Sequence, residues 1–196
     1  DSSGVSSQLT SGVTQIFSTR EAFAALKTDG SVVTWGRSDN GGDSSSVSSQ
    51  LTSRVTQIFS TETAFAALKT DGSVVTWGRS DNGGDSSSVS LKLNSGVTQI
   101  FSTKTAFAAL KEDGSVVTWG ESDYGGDSSS LDLSSGVTQI FSNEVAFAAL
   151  KTDGSVVTWG DSDKGGNSSS LDLSSGVTQI FSTDSAFAAL KTGGSV

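Results

Sequence analysis

Residues 11–52 read SGVTQIFSTREAFAALKTDGSVVTWGRSDNGGDSSSVSSQLT, and nearly the same text recurs along the whole chain. Phe17, Phe59, Phe101, Phe141 and Phe181 fall in register at intervals of 42, 42, 40 and 40 residues. Leu26, Leu68, Leu110, Leu150 and Leu190 keep the same register, as do Trp35, Trp77, Trp119 and Trp159. A fixed period of this length marks a tandem array whose units bury their apolar faces only against neighbours. The units run approximately 1–10 (partial), 11–52, 53–94, 95–134, 135–174 and 175–196 (partial), in a single array.

Within one copy, residues 13–18, 22–27 and 31–36 are short, β-branched or aromatic, and bounded by turn formers, so each is expected to be a strand. The Thr28-Asp29-Gly30 link supplies the residues of a tight hairpin, and the unit is expected to be a meander. In the second segment Ala22, Ala24 and Leu26 alternate with Phe23 and Ala25, so neither face is polar. Both faces are therefore expected to be covered, as in blades stacked face to face. The Ala residues allow close approach, and Phe17, Phe23 and Trp35 fill the remaining gap. After each Trp-Gly comes a polar stretch and then a weakly apolar one, such as 47–51, read as an outer strand or a helical turn. The shorter spacing of the later copies falls here, which marks this stretch as peripheral.

Composition narrows the chemistry. With no Cys and no His, there is no disulfide, no thiolate or Ser-His nucleophile, and no thiolate or imidazole metal ligand. A formal charge of -9 disfavours nucleic acid and anionic membranes as partners. No apolar run reaches the roughly 18 residues of a membrane-spanning helix. The chain begins at Asp1 and contains no Met, so the native start is expected to have been removed or to lie outside this segment, and the unfinished last unit reads either as a proteolysed chain or as a window cut from a longer array.

The segment Ala25-Leu26-Lys27-Thr28-Asp29-Gly30-Ser31-Val32-Val33-Thr34-Trp35-Gly36, repeated from Ala67, Ala109 and Ala149, resembles the core of the regulator-of-chromosome-condensation repeat. In unit length it is similar to a bacterial branch that includes a propeller-shaped β-lactamase inhibitor. The resemblance implies an all-β propeller of four-stranded blades that makes protein–protein contacts without catalytic residues. Family units carry a Gly and a His-like element before the second strand, which 18–23 here lacks, and commonly number seven where this chain has about five.

Candidate sites follow from the same register. Asp39 and Asp43, with Asp81 and Asp85, and Asp123 and Asp127, flank Gly pairs and could hold a calcium ion through carboxylate oxygens. The same residues are ordinary turn formers, and the expectation is that they cap surface turns. Asp29, Asp71, Asp113 and Asp153 likewise read as hairpin residues rather than acids or bases. The Trp series reads as packing, with sugar stacking as the rival. Specificity in an array of near-identical units arises only where copies differ. Those positions are Arg20, Glu62, Lys104, Glu144 and Asp184 before the second strand, and Arg37, Arg79, Glu121 and Asp161 after the third. Asn40, Asn82, Tyr124 and Lys164 lie three residues beyond the latter. Aligned around a propeller, they form an arc of varied charge expected to meet a protein partner or another copy.

The sequence thus points to a non-catalytic binding scaffold needing no cofactor. Alternatives are a polymer-forming or open solenoid array, a lectin-like propeller, and a carboxylate enzyme, which would need two carboxyls about 5 to 9.5 Å apart in a cleft.

Overall fold

The computed structural model describes residues 2–196, and Asp1 lies outside the described residues. Strands β1–β3 are Val13–Ser18, Ala22–Lys27 and Val32–Gly36, and β4–β6 are Val55–Ser60, Ala64–Lys69 and Val74–Gly78. They are followed by β7–β9 (Val97–Ser102, Ala106–Lys111, Val116–Gly120), β10–β12 (Val137–Ser142, Ala146–Lys151, Val156–Gly160), and finally β13 (Val177–Ser182) and β14 (Phe187–Lys191). Each set of three forms an antiparallel sheet in chain order, and β13 with β14 forms a two-stranded one. This is the meander expected from the alternation and turn pattern, and the fold is all-β.

The hairpin bond recurs in all five copies, and the aspartate that caps it in the first four, Gly193 standing in its place in the fifth. Gly30 N–H donates to the Lys27 carbonyl at 2.9 Å. The Asp29 carboxylate accepts from the Ser31 N–H at 2.9 Å and its hydroxyl at 2.6 Å. Because Ser31 is engaged by that turn, the third strand begins at Val32, one residue later than the sequence pattern suggested. A bulge interrupts the β1–β2 register between Val13 and Gln15 and recurs in every unit. The Thr14 hydroxyl there donates to the Leu26 carbonyl at 3.0 Å.

The outer stretch is not a strand, so the blades have three strands rather than the four that the family resemblance implies. Ser45–Gln50 and Ser87–Lys92 form 3-10 turns, as does Ser3–Gln8 at the start of the array. In the shorter copies the equivalent residues, about 128–134 and 168–174, form only turns and bends. The physical reason is composition: the stretch is a Ser run without β-branched alternation, and it offers the sheet edge little to pair with. It contributes mainly one backbone bond, Val32 N–H to the Leu51 carbonyl at 2.9 Å, and a Leu51 side chain that is 2% exposed.

Packing is between neighbouring units. Ala22, Ala24 and Leu26 of one sheet meet Ile58, Phe65 and Trp77 of the next, and the same joint recurs at each step along the array. Every position of β5, β8 and β11 up to the leucine is buried, which is the two-sided cover implied by their unpolarised alternation.

One backbone site is strained. Arg54 sits at φ 68°, where Gly12, Gly96, Gly136 and Gly176 stand in the other copies. An L side chain in that region costs about 1–2 kcal/mol, partly offset by the greater unfolded-state freedom of glycine. Arg54→Gly is therefore expected to raise stability by about 0.5–1 kcal/mol. A lower urea midpoint for the variant than for the parent would contradict this.

Candidate functional site

The β1–β2 turns of all five units converge on one axis. The triplets at 18–20, 60–62, 102–104, 142–144 and 182–184 together line a cavity of about 620 Å³. Their backbones are joined in series. Arg20 N–H donates to the Glu62 carbonyl at 2.9 Å and Glu62 N–H to that of Lys104 at 2.8 Å; Lys104 N–H reaches Glu144 at 2.8 Å, and Glu144 N–H reaches Asp184 at 3.3 Å. The side chains alternate in sign and pair along the same path: Arg20 with Glu62 at 2.8 Å, and Lys104 with Glu144 at 2.6 Å. The hydrogen bond to Glu144 holds the Lys104 ammonium above its ordinary value.

The first variable set is therefore a hub, largely paired with itself. Nothing in a single copy foretells the backbone ladder, because each bond joins equivalent atoms of two copies. The alternation of sign from Arg20 to Glu144 was the one sequence signal for it.

The second set lies at the same end of the sheets, since Arg37 N–H bonds the Glu21 carbonyl at 2.9 Å and Asp161 N–H that of Val145 at 3.0 Å. It stands on the outermost strands, farther from the axis than the hub. Arg37 pairs with Glu21 at 2.8 Å. Arg79 and Lys164 are exposed and, among the described residues, make no ion pair.

The third positions of this set have a structural partner. Asn82 Nδ2 donates to Thr63 Oγ1 at 2.8 Å, tying the post-Trp turn to the β4–β5 turn. In the next copy Tyr124 replaces the asparagine, and the buried Thr105 Oγ1 is left without a partner. Tyr124→Asn is expected to restore the bond and add about 1 kcal/mol of stability. Chemical denaturation of that variant beside Tyr124→Ala checks it: equal midpoints for the two would remove the basis of the expectation.

The calcium candidates are tied into turns instead of facing one another as ligands. Asp43, Asp85 and Asp127 each accept the backbone N–H two residues ahead, at 2.9, 2.8 and 2.8 Å. Asp39, Asp81 and Asp123 stay on the surface beside Ser38, Ser80 and Ser122. Among the described residues no group of three or more acidic side chains is placed to hold a metal ion.

Serine hydroxyl and amide donors lower the carboxyls of Asp29, Asp71, Asp113 and Asp153 from their ordinary value. Backbone donation from Ser45 and its equivalents does the same for Asp43, Asp85 and Asp127. Groups that titrate lower folded than unfolded stabilise fully above the unfolded carboxyl value near about 4, and that contribution drains as pH falls through the folded values. Melting temperature is accordingly expected to be level from about pH 8 to 5 and to fall below about pH 4. Thermal melts followed by circular dichroism test it, and a melting temperature at pH 3 equal to that at pH 7 would refute it.

Three of the four tryptophans are joints and not platforms, and Trp35 of the first unit is half-buried beside Phe23. Trp77, Trp119 and Trp159 are buried, stack on Phe65, Phe107 and Phe147 at 5.2 Å, and donate through Nε1 to the carbonyls of Gly41, Gly83 and Gly125. Their faces are closed to a sugar ring. Among the described residues no helix is long and apolar enough to cross a membrane.

No family model matches the sequence, and no curated protein matches it. Solved structures do resemble it. Prp20p from Saccharomyces cerevisiae, described with its binding to Gsp1p and histones, superposes with a TM-score of 0.50 at 20% identity, over 78% of this chain and 44% of that one. Yeast RCC1 (Prp20) in its complex with Kap60 gives 0.50 at 20% identity, over 76% and 42%. Human WBSCR16 gives 0.46 at 20% identity, over 76% and 47%. The chain spans less than half the length of each. At this identity the likeness concerns architecture alone, and it agrees with the repeated sheets and the axial hub: the chain has an RCC1-like propeller fold.

Proposed function

We propose that the chain is a non-catalytic protein-binding scaffold whose contact surface is the end of the array that carries both variable sets. The observation that carries this reading is positional. Outside the outer stretch the copies differ mainly at that end, while the residues that form the joints are largely kept the same from unit to unit. Near-identical blades act as a rigid frame, and the varied side chains of Arg79, Glu121, Tyr124 and Lys164 supply an address. Binding by the RCC1-like proteins named above, to Gsp1p, histones or Kap60, supports the class of activity and not a particular partner. A nearer kinship to the β-lactamase-inhibitor branch rests on unit length alone. The asparagine-to-tyrosine change at Tyr124 sacrifices a hydrogen bond within the fold and gains an aromatic side chain on this surface.

The test compares three purified proteins of equal melting temperature against a candidate protein partner: the parent, Arg79→Glu with Lys164→Glu, and Lys92→Glu in the outer stretch. Charge reversal at the variable end is expected to weaken binding at least tenfold and change its salt dependence, with Lys92→Glu unchanged. Equal loss in both variants would sink the assignment.

A further inference from the structure

We propose that the third unit carries the anchoring spot of the scaffold, formed by Thr105, Glu121, Asp123 and Tyr124, and that it takes an arginine side chain of the protein partner. This rests on the scaffold reading above and names the chemistry of its partner.

In the first four units the residue before the second strand faces the post-Trp turn in the same way. The N–H groups of Arg37, Arg79, Glu121 and Asp161 donate to the carbonyls of Glu21, Thr63, Thr105 and Val145. Three of these four meetings are satisfied from within the chain. In the first unit Arg37 lies 2.8 Å from Glu21 and 3.9 Å from Asp39, and Asn40 Nδ2 also donates to Glu21 at 3.4 Å. In the second, Asn82 closes on Thr63 at 2.8 Å. In the fourth the facing residue is buried, apolar Val145, and Asp161 caps its own turn by accepting the Asp163 N–H at 2.9 Å.

The third unit alone is left open, although both neighbouring units are in place around it. Thr105 Oγ1 is buried without a partner. Among the described residues the Glu121 carboxylate makes no ion pair, and Asp123 is exposed beside it in the turn. Lys104, the base adjoining Thr105, is held away by Glu144 at 2.6 Å. The unit therefore has an acid where the first unit has Arg37, a second acid in the place of Asp39, and no free base of its own.

Folded chains satisfy their buried polar atoms, and a lapse confined to one copy of a repeat marks a place where stability has been given up for recognition. The missing member is a cation. A guanidinium pairs with a carboxylate through parallel hydrogen bonds and lays its flat face on an aromatic ring. Glu121 supplies the carboxylate, Asp123 a further negative charge, and Tyr124 the ring. Arg37 already shows the arrangement inside the first unit, where a guanidinium sits against Glu21 and Asp39.

The experiment titrates blocked Gly-Gly-Arg-Gly-Gly, and its lysine and citrulline counterparts, into the isotope-labelled 196-residue chain and follows backbone amide shifts by NMR. The arginine peptide is expected to move the amides of 105 and 121–124 farther than their equivalents in the other units. Lysine should bind more weakly, and citrulline, which keeps the shape without the charge, not at all. Glu121→Arg and Tyr124→Asn install residues that other copies carry at these positions, so the fold is kept. They are expected to weaken the arginine peptide at least fivefold and at least twofold. Glu112→Lys makes the same charge change as Glu121→Arg at the opposite end of the sheet, and it should leave binding unaltered. Absent shifts at 105 and 121–124, equal shifts in all the post-Trp turns, or equal binding of lysine or citrulline overturns the proposal. So does unchanged binding in Glu121→Arg or Tyr124→Asn, or a matching loss in Glu112→Lys. No partner protein enters this titration, so its failure leaves the scaffold reading to the charge-reversal test above, and failure of that test leaves the arginine spot to be measured by itself.

Discussion

Phe107→Ala is expected to cost about 3–5 kcal/mol of unfolding free energy, and the same change at Phe23 less than about half of that. The two residues occupy equivalent positions in near-identical text, which makes the comparison unusually clean. Phe107 is fully buried, stacks on Trp119 at 5.2 Å, and closes against Gly83 of the preceding unit. Deleting its ring removes the transfer free energy of a fully buried aromatic side chain and leaves a cavity between two sheets that cannot approach further. Phe23 stacks on Trp35 at 5.4 Å, but its outer side has no neighbouring sheet and it is 44% exposed. Its removal therefore opens no closed cavity. Urea unfolding of both variants measures the difference. Equal losses would mean that the faces between units do not carry the stability of the array.

Arrays of this kind draw their stability from unit interfaces in addition to the units themselves. A loss at Phe107 is consequently felt by two units at once, and an exposed end such as the β13–β14 hairpin rests on one interface only. The last unit has few buried residues, Val177 at 4% and Ile180 at 3% among them, both on the side that faces the preceding sheet. Hydrogen exchange is expected to rank β14 below β8 for the same reason.

Much of this was legible in the text of the chain. The register of Phe, Leu and Trp defined the repeat, and the apolar alternation of 22–26 on both faces required sheets on both sides. The Asp-Gly-Ser turns placed the hairpins, and the differences among copies picked out one end of the sheets. What escaped the reading has definite physical causes. The outer stretch of Ser and Leu has neither strand nor helix period, so an outer strand and a helical turn both stayed open; the structure takes 3-10 turns in the longer copies and turns and bends in the shorter ones. The hub ladder joins backbone atoms of residues about 40 positions apart, and a backbone donor leaves no mark on side-chain identity. The orphaned Thr105 hydroxyl needed coordinates, although the change from asparagine to Tyr124 that caused it was visible.

Gly83→Ala is the second large effect, and it tests the joint from the opposite side. Gly83 lies at φ +93°, and a Cβ built on it would stand 2.5 Å from Phe107 Cδ2 and 2.8 Å from Cε2. Two costs combine there. A side chain at this φ is strained by about 1 kcal/mol or more. Forcing the Phe107 ring away from a filled joint adds overpacking of about 1–3 kcal/mol, because Phe107 is held on its other face by Trp119. The total of about 2–4 kcal/mol is expected with little change in secondary structure. Gly194→Ala separates the two contributions, since Gly194 has φ +86° and nothing within 4 Å of the added methyl. It should lose only the backbone part. If Gly83→Ala and Gly194→Ala destabilise equally, the approach of Phe107 to the Gly83 backbone is not what requires glycine there. If the gap appears, the first glycine of each post-Trp Gly-Gly pair is explained as the socket for the next unit's phenylalanine. The Trp119 Nε1 bond to the Gly83 carbonyl at 3.0 Å would then be the second fastening of the same joint.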